Sequence, residues 1–172
     1  MNNFISFLTI CLLLLNGNSG SVADNNPPHL DCNDYWLSVA FGNFCSMTLG
    51  NFDLSGVNDI CGADSNDSYQ NDELIYINVY NNFTESSAIE EYNLEKEAFE
   101  SNLNFVEVSS LGDEAFTAIT VTFGRLDGAY IVMRKGIYTV TLEVNGNAAN
   151  DSDNCFTPTT ILNLAEALIA PL

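Results

Sequence analysis

The chain has 172 residues, and its 23 acidic side chains face only four basic ones, a formal net charge of −19. Nucleic acid and anionic membrane are therefore poor partners, since both would be repelled. The acids serve solvation, with recruitment of Ca²⁺ or of a basic partner as the alternative use.

Phe4 to Leu15 is an apolar run too short to cross a bilayer but suited to the hydrophobic region of a secretion signal. Small residues at Ser21-Val22-Ala23 predict cleavage after Ala23, giving a signal peptide over 1–23. Cys11 follows Ile10 where a lipidated cysteine needs a small neighbour, so lipidation there is not expected. The remainder reads as a Pro-Pro-containing extended lead-in over 24–31 and one domain over 32–172, with no further transmembrane segment. All of the formal charge falls on it, and the expected location is secreted or extracytoplasmic.

Along this domain, Tyr35 to Phe41 predicts a helix capped by Asn33 or Asp34. Asn43 to Ile60, broken by Gly50, Gly56 and several Asn and Asp residues, reads as short helical turns. Asp64 to Asn71 is a loop by composition, and Glu73 to Tyr80 has the β-branched and aromatic content of a strand. From Ser86 to Asn102 the apolar positions Ala88, Ile89, Tyr92, Leu94, Ala98, Phe99 and Leu103 recur near helical spacing, predicting an amphipathic helix capped by Ser86 or Ser87. Phe105–Val108 is a short strand. Ala115–Phe123, Ala129–Arg134 and Ile137–Val144 follow as an antiparallel meander, separated by Gly124–Gly128 and by Lys135-Gly136. After the loop Asn145–Asn154, Thr157 to Leu168 forms a second amphipathic helix, with Thr157 or Thr159 as cap and Pro158 in the first turn. Helices on an antiparallel meander define an α+β sandwich.

Four cysteines follow the signal region, Cys32, Cys45, Cys61 and Cys155. An even count in an oxidising compartment predicts two disulfides with three possible connectivities, and Cys155 is expected to tie the C-terminal segment back to the N-terminal region. With no CxxC pair and one histidine, His29, zinc and haem sites lack ligands, and no cofactor is expected. Asn66, Asn82 and Asn150 begin N-glycosylation acceptor triplets.

Candidate chemistry is sparse. Asp113 and Glu114 stand side by side behind Gly112 in Ser-Ser-Leu-Gly-Asp-Glu-Ala-Phe, yet at a strand start alternation sends them to opposite faces, which favours a turn over a catalytic pair. Asp64–Ser68 and Asp151–Asn154 resemble oxygen-rich cation loops but depart from the EF-hand pattern, so Ca²⁺ remains only an alternative. His29 has no Gly-x-Ser-x-Gly elbow to serve, and Arg134-Lys135 reads as edge protection at a hairpin tip. Phe44, Phe52, Tyr76, Tyr80, Tyr130 and Tyr138 are candidates to line a cleft, or to fill the core.

In "LGDEAF", "AYIVMRKGIYTVTLEV" and the closing "ILNLAEALIAPL" the chain resembles a family of small secreted or lipid-anchored bacterial envelope domains of unknown function, similar to the PsbP-type α/β/α sandwich, over about Glu73 to Leu172. That resemblance implies a disulfide from Cys61 to Cys32 or Cys45, and it brings no catalytic residues. The chain departs from the pattern in its four cysteines and in lacking a lipobox. The expected function is thus a secreted, disulfide-stabilised binding or accessory domain for an unidentified protein or small ligand. A hydrolase using loop carboxylates and a Ca²⁺-dependent surface module are the alternatives.

Overall fold

The computed structural model describes residues 28–66, 74–146 and 155–172. The segment 1–23 expected to be a signal peptide, the sequence triplet at Asn150 and the loop Asp151–Asn154 lie outside them. Among the described residues no helix is long and apolar enough to cross a membrane.

Helix α1 spans Cys32–Ser38 and is capped by Asp31, whose side chain accepts the Asp34 N–H at 3.0 Å. The cap therefore stands two or three residues earlier than expected, and the helix ends at Ser38 because Val39 is extended. Two 3₁₀ turns follow, Phe41–Asn43 and Leu49–Asn51. The next segment corrects the expectation of helical turns up to Ile60: β1 (Phe52–Val57) and β2 (Ile60–Ser65) form a hairpin. Its turn takes Asp59 at φ +78°, and Gly56 at φ +97° brings its α-carbon so near the Ile60 carbonyl that a Cβ would stand 2.0 Å from that oxygen.

Strand β3 (Leu74–Asn81) puts Ile75, Ile77 and Val79 on one face, all fully buried. Helix α2 (Glu85–Phe99) starts after Thr84, which accepts the Ser87 N–H at 3.1 Å, so the cap is Thr84 rather than Ser86 or Ser87. Only Ala88 and Tyr92 of α2 are fully buried, while Ile89 and Leu94 face solvent. The strands β4 (Phe105–Glu107), β5 (Glu114–Thr122), β6 (Arg125–Lys135) and β7 (Tyr138–Asn145) form the meander. Its β5–β6 link is shorter than Gly124–Gly128: Thr122 already pairs with Arg125, and the turn is Phe123-Gly124 with both φ values positive, +53° and +82°. Helix α3 (Pro158–Ile169) is capped by Thr157 and buries Ile161, Leu164, Ala165, Leu168 and Ile169.

The strands form one antiparallel sheet in the order β1-β2-β3-β7-β6-β5-β4. Helix α2 carries the chain from the middle of the sheet to its far edge, and the meander returns to lay β7 against β3. The fold is thus α+β with helices on both faces. On one face α1, the 3₁₀ turns and α3 enclose the main core, which contains Trp36, Phe44, Met47, Phe156 and the inward residues of β2, β3, β6 and β7. On the other, α2 lies over β6 and β7 around a smaller cluster of Tyr92, Phe116 and Val132 with Phe99, Phe105 and Tyr130 at its rim.

Two disulfides, Cys32–Cys61 and Cys45–Cys155, hold the N-terminal segments to this frame. The first joins α1 to β2, and the second ties the segment before α3 to the turn between the 3₁₀ elements, closing loops of 29 and 110 residues. By loop-closure entropy the longer one contributes about 1 kcal/mol more. Replacing Cys45 and Cys155 together by alanine is expected to lower denaturant-measured stability by about 3–5 kcal/mol, and by more than the Cys32/Cys61 double replacement.

Candidate functional site

Gly112, Asp113 and Glu114 fold against the β6–β7 hairpin. Gly112 has φ +70°, and a Cβ there would stand 2.4 Å from the Arg134 carbonyl oxygen. The Asp113 N–H donates to that same carbonyl at 2.8 Å. Arg134 is almost fully buried, and its Nε donates to Glu114 Oε2 at 2.8 Å, while Nη1 donates to Asp113 Oδ2 at 3.3 Å and to the Gly136 carbonyl at 3.1 Å. Asp113 Oδ2 also accepts the Gly136 N–H at 2.8 Å. Asp113 precedes the strand, so strand alternation does not apply to it and both carboxylates converge on one guanidinium. Lys135 donates to the Ile169 and Ala170 carbonyls, each at 3.2 Å, satisfying free acceptors at the end of α3. Neither cation protects an edge, because β6 and β7 are interior strands.

Beside this corner, a cleft of about 390 Å³ opens between α2 and β4–β5, lined by Tyr92, Lys96, Glu107, Ser109 and Glu114. Glu107 pairs in register with Phe116, so Glu114, two residues earlier on β5, is its diagonal neighbour on the same face. Such positions lie about 7–8 Å apart. Lys96 forms an ion pair with Glu107, which raises the lysine pKa first through that hydrogen bond. Glu114 is held by Arg134 as described. Two acids thus share one cleft, each engaged with a cation.

A third cluster surrounds Asp59 at the β1–β2 turn. Its carboxylate accepts from His29 Nδ1 at 2.7 Å, the Leu30 N–H at 3.0 Å and Asn81 Nδ2 at 2.7 Å. Asn81 also donates to the Pro28 carbonyl at 2.8 Å, so the lead-in is laced to the hairpin and to β3. Desolvation alone would raise the Asp59 pKa, but these hydrogen bonds together outweigh it and hold the carboxyl below its ordinary value of 3.8. Ser38 lines a neighbouring cleft with His29, but its hydroxyl donates to the Tyr35 carbonyl at 2.6 Å. His29 and Asp59 therefore act as a clasp. Tyr35 donates to the Leu168 carbonyl at 2.8 Å, joining α1 to α3, and burial drives its pKa far above the usual phenol range.

The aromatic residues divide. Phe44 and Phe52 are core. Tyr76, Tyr80 and Tyr130 are half-buried on the face that carries α2, and Tyr138 lines the cleft near His29. Tyr130 stacks on Phe99 with ring centroids 4.1 Å apart and donates to Glu95 at 2.9 Å; burial, then that bond, raises its pKa. Burial, then the charges of Glu91 and Glu95, raise that of Tyr80.

Helix α2 packs chiefly on β6 and β7, so among the described residues the β1–β2–β3 half of that face is left mostly uncovered. The register puts Ile60 beside Tyr80, Gly62 beside Asn78 and Asp64 beside Tyr76, with Ser55 and Asp53 of β1 continuing the last two rows. Gly62 is buried beneath Ser55 and Asn78: a Cβ there would stand 2.4 Å from Ser55 Oγ. Ile60 is 53% exposed, and Ser55, Asp53 and Asp64 are exposed as well. This open shelf was not visible as a motif, since its members come from three strands.

Of the cation-loop candidates, Asp64 lies on this shelf. The Asn66 N–H donates to the Asn51 carbonyl at 2.9 Å, and its side-chain amide reaches Asp53 at 3.2 Å. Among the described residues no group of three or more His, Cys, Asp or Glu is arranged to hold a metal ion. Asn82 donates its side-chain amide to Thr139 at 2.5 Å, within the turn leading to α2. No protein-family model, curated protein or solved structure matches this chain.

The sign of the Asp59 effect follows from its lowered pKa. On acidification the unfolded chain takes up a proton first, so the clasp stabilises the fold above about pH 4 and loses that contribution as pH falls through the native pKa. Asp59→Asn is expected to reduce stability at pH 7, with the difference from the parent protein shrinking as pH falls below about 4 in denaturant titrations.

Proposed function

We propose that the protein is an extracytoplasmic binding domain, released from its signal segment after Ala23, whose recognition face is the open half of the sheet beside α2. The single observation that carries this reading is the shelf itself. Half-buried tyrosines, an exposed isoleucine and an amide lie in register on β2 and β3, beside the strands on which α2 chiefly packs. Aromatic and aliphatic groups beside a few polar ones are the usual makeup of a recognition surface. Two disulfides suit an oxidising compartment and keep the N-terminal segments fixed while a partner is bound. The likeness to the envelope-domain family belongs to the same proposal. It is supported by the three shared motifs, which interlock at the Arg134 corner rather than at a reactive centre.

A photo-crosslinking amino acid at position 60 is expected to capture a partner from the native extracellular milieu, whereas the same group at position 97, on the outer side of α2, captures none. Equal capture at both positions, or capture only at 97, would sink the proposal.

A second reading, a glycosidase-like hydrolase, is favoured by one observation: Glu107 and Glu114 line one cleft from diagonal positions on the same face of the sheet, and acid–base hydrolysis of a glycosidic bond uses two carboxyl groups flanking one site. The ion pairs on both acids favour the binding reading, under which the purified protein releases no reducing ends from extracellular polysaccharides. Turnover that disappears in both Glu107→Gln and Glu114→Gln would establish the hydrolase instead.

A further inference from the structure

We propose that the occupant of the open shelf is an extended lysine- or arginine-rich peptide segment of a partner protein; this rests on the shelf being the recognition face. The charge of the surface is what selects the class. Asp53 and Asp64 stand together in one row of the shelf, beside Tyr76, and Glu143 follows Tyr76 in the same row on β7. On the side where α2 rises, Glu91 and Glu95 add to burial in disfavouring the Tyr80 phenolate. The basic side chains that would neutralise these acids are placed elsewhere. Lys96 pairs with Glu107 in the cleft, Arg134 is enclosed by Glu114 and Asp113, and Lys135 caps α3. Among the described side chains, then, no cation of the chain itself faces the shelf.

Carboxylates alone would attract any cation weakly through solvent. The shelf adds two features that favour the side chains of lysine and arginine. Tyr76 and Tyr80 offer ring surface for cation–π contact and for the aliphatic stems. Ile60 beside Tyr80 supplies apolar area that a hydrated metal ion cannot use. Ser55 and Asn78, whose side chains close over the buried Gly62, present hydrogen-bonding groups to a main chain lying across the strands. The formal charge of −19 would speed encounter with such a segment over longer range.

The difficulty is that a strongly acidic protein attracts polycations everywhere, so the test must separate location from total charge. Asp64→Lys and Glu97→Lys change the net charge equally, one on the shelf and one on the outer side of α2, and both sites are exposed, so the fold is retained. With octalysine as probe, titrated at about 0.15 M salt, Asp64→Lys is expected to weaken binding by roughly tenfold or more and Glu97→Lys by less than about twofold. Amide chemical-shift changes in the parent protein are expected to centre on residues 60, 76 and 80. Equal weakening by the two variants, shift changes spread over the whole acidic surface, or no binding of octalysine would overturn the cationic partner. Selective capture at position 60 would still stand in that event. The two failures are thereby distinguishable.

Discussion

The buried guanidinium of Arg134 is the interaction on which the two halves of the sheet assembly depend. It is reached from β5 by Glu114, from the preceding turn by Asp113, and from its own hairpin by the Gly136 carbonyl. A buried arginine left without such partners would carry a large desolvation cost, so the approach of the Gly112 turn is a condition of the hairpin's packing. Gly112 makes that approach possible because a side chain there would collide with backbone. Lysine would not replace Arg134, since a point charge cannot serve both carboxylates and the carbonyl in fixed directions.

From that corner the rest of the architecture follows. The neighbouring Lys135 fixes the end of α3, and Tyr35 then fixes α1 to α3. Disulfides carry the restraint outward to the β1–β2 hairpin and to the start of α3. The main core is deep on one face, whereas the cluster beneath α2 is small and leaves the outer strands open. An acidic chain with few cations has placed those whose side chains are described where they brace the fold. The uncompensated negative charge is left to the solvent and to the shelf.

Much of this was legible in the residues. The strands β5 to β7 and helix α3 declare themselves because alternation, helical spacing and the Thr157 cap all point the same way. The hairpin β1–β2 hides because β1 buries only Phe52 and its turn uses Asp59 at positive φ where glycine would have signalled it. In α2 Ser86 and Ser87 are as suited to capping as Thr84, which stands two and three residues before them and takes the role. Alternation does not separate Asp113 from Glu114, because it holds only inside a strand and Asp113 lies just outside one. Neither the cleft at Glu107 nor the open shelf has a local signature. Both arise from the crossover of α2, which decides which rows of the sheet are covered.

The most direct measurement is a double-mutant cycle on Arg134 with Glu114 and with Asp113, read by denaturant unfolding. If the corner organises the fold, Arg134→Met with Glu114→Gln and Arg134→Met with Asp113→Asn each show a coupling of about 1–3 kcal/mol, because each pair loses the same contact. Additive losses in both cycles, with coupling below about 0.3 kcal/mol, would contradict the account.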